Sequence, residues 1–187
     1  MAVHHAYVRM TIPGRVASRL LAVLALTAPA AGCDLPRDPE GSLEKIRGAE
    51  LVVGVSEAPP WVERGAGQPE GIEADIVRRF ARELDADVRW EWLPAEDQVG
   101  KLTRFEIHLA VGRHTRDSPL AREVGATRPW YVSLERRGGT DVATRHHVFL
   151  VPPGENAWLM WLEGRLAADS GYIHRRVRMA ADSAAVR

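Results

Sequence analysis

Four groupings in this sequence bring together residue types that could do chemistry: an aromatic on a stiff turn, paired histidines, paired carboxylates and a lone thiol. Trp61 follows Pro59 and Pro60, which come after the apolar run Leu51, Val52, Val53 and Val55. Val and Leu suit a strand interior, whereas proline cannot donate to a ladder, so the proline pair must lie beyond the strand's end. Trp61 is thereby expected on a fixed loop at the carboxyl end of a strand, where open α/β sheets bind ligands. His146 and His147 are adjacent, so on a strand their rings point to opposite faces and cannot hold one metal ion together. His108 and His114 stand alone, and no metal site is expected. Glu96 and Asp97 could share acid–base work, but on a short polar helix they are more simply a solvated face. With no Ser, His and Asp arrangement and no phosphate loop, no catalytic residue and no cofactor is expected.

The thiol of Cys33 is the one cysteine among 187 residues, which excludes a disulfide framework. Arg9, Arg15 and Arg19 precede LLAVLALTAPAAG, an apolar stretch too short to span a membrane but suited to the core of a secretory signal. Ala30, Ala31 and Gly32 lead into Cys33. The segment resembles a bacterial lipoprotein signal, in which Cys33 would be lipidated and become the new amino terminus. Residues 1–32 are expected to be a signal peptide, starting at Met1 or Met10; ordinary cleavage to a soluble periplasmic product is the alternative. Residues 33–48 carry Pro36, Pro39 and Gly41 and read as anchor site and tether, with a short helical turn from Ser42. The composition is that of a globular protein, 45% hydrophobic and 27% charged with zero net charge. No basic field argues for nucleic acid, and the length suits one domain with a real core.

Hydrophobic periodicity supplies the frame that must position Trp61. Over 72–85, Ile72, Ile76, Val77, Phe80, Ala81 and Leu84 recur at helical spacing, with Arg78, Arg79, Arg82 and Glu83 opposite. Residues 86–93 alternate as a half-buried strand does, with Val88, Trp90 and Trp92 on one face and Arg89 and Glu91 on the other. Before that helix, ERGAGQPEG reads as a turn that hairpins back towards the sheet. After the strand come a short helix over 95–103 and a second alternating strand over 105–112, through Phe105, Ile107, Leu109 and Val111. Strand, helix, strand, helix, strand is the signature of βαβ units, so the fold class expected is α/β, a mostly parallel sheet with flanking helices. Farther on, 113–129 reads as a polar connection, 130–135 as a strand, and 136–145 as a Gly- and Arg-rich turn. A strand over 146–154 and a helix over 155–169 come next. Gly171 is expected to end that helix, leaving 171–187 as a basic tail that could continue as a frayed helix. Trp90, Trp92, Trp158 and Trp161 read as packing residues.

LVVGVSEAPPW, GIEADIVRRFARELDADVRWEW, LTRFEIHLAVGRHTRDSP and ATRPWY follow one another along the chain, and in that order they resemble lobe 1 of the family 3 extracellular solute-binding proteins, which capture amino acids and related small solutes outside the membrane. LVVGVSEAPPW is similar to the family's opening strand and Pro-Pro-aromatic turn, and GIEADIVRRFARELDADVRWEW to its first helix and next strand. LTRFEIHLAVGRHTRDSP stands where the family has its Thr-rich binding loop, and ATRPWY resembles its Phe-Ser-x-Pro-Tyr motif. HHVFLVPPGENAWLMWLEGRL is similar to the segment that re-enters lobe 1 after lobe 2. Between the last two the family inserts a whole second lobe. Here only 136–145 intervene, which is hairpin length. The resemblance therefore implies a single lobe over 49–170, like one lobe of a type II periplasmic binding protein.

The family holds a small zwitterion by aromatic stacking, by hydroxyls and backbone N–H groups, and by an Arg that pairs with the ligand carboxylate. Carried over, this implies ligand contacts from Trp61, Gly71, Asp75, Thr115, Arg116 and Trp130. The family's Arg lies three residues after the threonine, a position held here by Ser118; Arg113, Arg116 and Arg122 are the guanidiniums that could reach the same space. Asp75, in the first turn of its helix, is equally explained by the helix dipole. The implied function is extracytoplasmic binding of a small polar solute, amino-acid-like or an organic acid, for ABC-type transport or sensing. A membrane permease or sensor would be the partner, with attachment to the membrane through Cys33. The alternative is an interaction or sensory module of a membrane protein complex that binds no free solute.

Overall fold

The computed structural model describes residues 38–136 and 142–185. The leader, Cys33 and the Gly-rich centre of the 136–145 turn lie outside the described residues. β1 (Glu50–Val55) is flanked by β4 (Asp87–Trp92) and β5 (Leu109–Val111) and is parallel to both. Between β1 and the first long helix, β2 (Glu63–Arg64) and β3 (Pro69–Glu70) pair antiparallel as the small hairpin expected of ERGAGQPEG. β9 (Leu150–Val151) runs antiparallel to β5 and to β6 (Gly125–Ala126), which completes the sheet order β4-β1-β5-β9-β6. The sheet is thus mixed, and β9 alone runs against the common direction.

Alternation along the strands sorts the core into two layers. Leu51, Val53 and Val55 of β1 and Leu109 and Val111 of β5 enter one cluster with Phe80, Trp158, Leu162 and Ile173. Val52 and Ala110 point the other way, to Val99, Leu102, Ile107 and Leu150. Helices α2 (Ile72–Glu83), α4 (Asn156–Ala168) and α5 (Ser170–Ala185) cover the first face, and α3 (Ala95–Thr103) covers the second. A strand buried on both faces reads as a continuous apolar run, which is why LVVGV shows no polar alternation. α1 (Ser42–Ile46) also joins the first layer through Ile46, and Ile46 and Ile173 are both fully buried, so packing extends beyond 49–170 at both ends. The buried Glu155 carboxylate fixes the start of α1 by accepting from the backbone N–H groups of Glu40 and Ser42, both at 2.9 Å.

Four local expectations need correction. The strand of 105–112 is only Leu109–Val111, because Phe105 has φ 57 in the turn that closes α3. Residues 106–108 lie outside the strand, and across them Ile107 faces the α3 layer while Leu109 faces the other. The strand of 146–154 divides: β8 (Val142–His147) pairs antiparallel with β7 (Tyr131–Arg136) in a separate ribbon, and β9 returns to the main sheet. Part of the 136–145 turn is therefore strand, and the segment is a hairpin. Finally, the helix break falls at Asp169, and Gly171 lies in the first turn of α5. Asp169 holds that corner by accepting from Arg79 of α2 at 2.7 and 3.1 Å.

Candidate functional site

The carboxyl ends of β1 and β5 lie side by side, and the loop leaving each strand is fixed by a glycine. Gly112 has φ 138, and a Cβ there would sit 2.1 Å from Ser56 Oγ and 2.9 Å from Ser56 O, so any side chain would be strained and would force Ser56 to move. The Ser56 N–H donates to Val111 O at 3.1 Å. Gly71 has φ 103, and a Cβ there would meet Trp61 O at 2.6 Å and Pro60 O at 2.9 Å. Both carbonyls accept from the start of α2, Ile72 N–H to Pro60 O at 3.2 Å and Glu73 N–H to Trp61 O at 2.9 Å. Helix N–H groups that would otherwise lack partners thus clamp the Pro-Pro-Trp turn.

Glu73, one residue further along α2, reaches back to the other loop. Its Oε2 accepts from Gly112 N–H at 2.7 Å and Arg113 N–H at 3.2 Å. The side chain is completely buried and Oε1 has no partner among the described residues. Burial pushes its pKa up to about 7, against the opposing pull of the two N–H donors. The loop is braced from the α3 side as well. Gln98 Nε2 faces the carbonyls of Leu93 and Val111, which turns its oxygen towards His114; His114 Nε2 therefore donates, at 2.7 Å. Burial drives the His114 pKa down to about 4, so the ring is neutral near pH 7.

The six residues implied in ligand contact fall in three places. Trp61 and Trp130 come together edge to face at 5.9 Å, in a cluster with Tyr131 and His147 at the base of the ribbon. They are only 7% and 9% exposed, so in this arrangement both rings are core. Gly71 holds the turn beneath Trp61. Thr115 bridges to His147, and Arg116 N–H donates to His146 O at 2.9 Å, so their loop runs along the edge of β8. The Arg116 side chain is exposed and has no ion-pair partner among the described residues. Asp75 lies elsewhere, accepting from Arg78 at 3.1 Å and from Arg176 of α5; it ties two helices together.

Ribbon charges complete the surroundings. Glu135 of β7 accepts from Arg113 and, at 3.3 Å, from Arg145 of β8, and Arg145 also donates to Asp117 at 2.8 Å. The hydrogen bond from Arg113 holds the Glu135 pKa below the usual carboxylate range. Sequence reasoning missed Glu73, Glu135 and Arg145. The alternation of YVSLER and VATRHH either side of a Gly-Gly turn was the available signal for the ribbon. A groove of about 580 Å³ lies between Pro59, Pro60, Glu63, Gly71, Arg176 and Met179, and neither Thr115, Arg116 nor Trp130 lines it. Among the described residues, no group of three His, Cys, Asp or Glu is placed to hold a metal ion.

The sheet order, the clamped turn after β1 and the loop after β5 define the fold as one lobe of a type II periplasmic binding protein. The chain is similar to a mutant of ArgBP from T. maritima at 12% identity and TM-score 0.63, over 75% of this chain and 99% of that one. An ancestral cationic amino acid solute-binding protein matches at 11% identity and TM-score 0.61, over 75% and 97%. A binding component of an ABC transporter from Wolinella succinogenes DSM 1740, complexed with lysine, matches at 10% identity and TM-score 0.58, over 68% and 94%. No protein-family model matches the sequence, and no curated protein does.

Proposed function

We propose that the protein binds a small polar solute, amino-acid-like or an organic acid, outside the cytoplasmic membrane, as a solute-binding protein reduced to one lobe. The observation that carries this reading is the junction of the loops after β1 and β5, where Gly71 fixes the first loop and Gly112 and Glu73 fix the second, which presents Thr115 and an exposed Arg116 that has no ion-pair partner among the described residues. Preorganised backbone with a free guanidinium is what capture of a polar solute requires. The solved structures sharing this fold include one complexed with lysine and one named for cationic amino acids. Cys33 is the proposed point of lipid attachment and residues 33–48 the tether, with a membrane permease or sensor as the partner. One lobe leaves part of a ligand uncovered, so affinity is weak unless a partner or second copy closes the site. We assign no catalytic residue.

A second reading, an interaction module that binds no free solute, is favoured by the outward face of the ribbon, where Val132, Leu134 and Val142 are 48, 73 and 56% exposed. Thermal melting against amino acids, polyamines and organic acids separates the two. A solute that binds only the native state raises the melting temperature saturably, and Arg116→Ala is expected to abolish the rise. Arg116 is the variant of choice because Trp61→Ala would empty the core. A flat panel from a cooperatively melting protein favours the second reading.

A further inference from the structure

The inward face of the ribbon carries an ion network whose members differ in how firmly they are placed. Along β7 and β8 side chains alternate: Tyr131, Ser133, Glu135, Ala143, Arg145 and His147 face the domain, and their neighbours face solvent. Arg113 projects from a loop whose backbone N–H is held by the buried Glu73. Arg145 is set in register opposite Ser133 and steadied by Asp117 at 2.8 Å. Both guanidiniums thus have fixed roots, and both point at one carboxylate, that of Glu135. That carboxylate arrives from β7, and its side chain is about a quarter exposed, as is that of Arg145; Arg113 is more open still. With Arg116 close by in sequence and without an ion-pair partner among the described residues, the cations Arg113, Arg116 and Arg145 outnumber the anions Glu135 and Asp117 there.

We infer that Arg113 and Arg145 form a carboxylate-binding subsite, and that Glu135 occupies it as a built-in competitor when no solute is bound. The inference rests on the solute-binding reading and assigns the solute a carboxylate. Exchange of one carboxylate for another leaves the number of ion pairs unchanged, so neither guanidinium is left uncompensated when Glu135 is displaced. What decides occupancy is the solute's other contacts, set against the local concentration of a tethered competitor. Solvent-exposed ion pairs contribute little each, so Glu135 lowers apparent affinity without closing the site.

Succinate is a suitable probe because it carries carboxylates and little else. Titration of the full chain is followed by the side-chain Nε–H signals of Arg113 and Arg145 in NMR spectra, at constant ionic strength held with chloride. The expected result is a saturable shift of both signals in the wild-type protein. In Glu135→Gln succinate should bind about three- to tenfold more tightly. Arg113→Gln and Arg145→Gln should each weaken it. Glu163→Gln, which removes the same charge from a separate pair with Arg128, should leave it unchanged. Equal tightening in Glu163→Gln, or shifts reproduced by chloride alone, would overturn the subsite in favour of general screening. If another solute binds in an Arg116-dependent way while Arg113 and Arg145 stay silent, the subsite fails and solute binding stands. Silence towards every solute in both wild-type and Glu135→Gln proteins sinks both.

Discussion

The central strand β1 and the ribbon strand β7 have six residues each and are held by different forces. From Leu51 to Val55 every residue of β1 is buried, packed between α2 and α4 on one side and α3 on the other. β7 buries no residue fully along 131–135, and its attachments are the aromatic cluster at its base and the charges around Glu135. Buried apolar area is non-directional and contributes roughly 25 cal/mol per Å², whereas exposed ion pairs contribute about 0–1 kcal/mol each. The sheet therefore sets the stability of the domain, and the ribbon sets what the proposed binding edge presents.

The widest separation should come from core truncation. Phe80 is fully buried against Phe149 and Trp161, at ring distances of 6.3 and 5.8 Å. Phe80→Ala is expected to cost about 3–5 kcal/mol in urea unfolding, and a loss under 1 kcal/mol would mean that this layer is loosely packed.

Next in size is pH. Glu73 has a folded pKa of about 7, above the ordinary value of 4.5. A raised carboxyl pKa favours the folded state below the unfolded value and loses that contribution as pH rises through the folded one. Wild-type stability measured against Glu73→Gln should thus be greatest below pH 4.5 and fall by a few kcal/mol by pH 8. His114 and His147, both lowered to about 4 by burial, act oppositely between pH 6.5 and 4 in both proteins and cancel in the comparison. A difference independent of pH would show that Glu73 is not buried as a proton-binding group.

Gly112→Ala attacks the junction itself. Its φ of 138 and the 2.1 Å approach to Ser56 should cost about 1–3 kcal/mol, with the largest amide shifts in Ser56 and Arg113. On the ribbon, effects should shrink. Glu135→Gln is expected to change stability by no more than about 1 kcal/mol while speeding amide exchange along β7 and β8. Leu134→Ala, at a position 73% exposed, should fall within about 0.5 kcal/mol; a large loss there would reveal a covered surface.

This contrast also explains what the sequence made legible. β1, α2, β4 and α3 match their periodicities closely, because each is decided by which residues leave water. The boundaries failed where the backbone leaves the extended form, as at Phe105, whose positive φ lies in the turn that closes α3, and over 106–108, which are not strand, so that Ile107 and Leu109 face opposite layers. Trp61 was legible as a residue on a stiff turn, but its neighbours were not, since Trp130 and His147 approach it only through the register of the ribbon. Glu73 carried a weak signal: an acid two residues after a glycine at a helix start reads as a dipole partner, and nothing local says that it caps a loop forty residues away.

Amide shift mapping during titration with whichever solute raises the melting temperature most directly tests whether the loops after β1 and β5 are the binding edge. Saturable shifts concentrated at residues 56–61 and 112–118, lost in Arg116→Ala, are the expected result. Shifts elsewhere, for instance around Met179 and Arg176 on α5, with residues 112–118 unmoved, would contradict it.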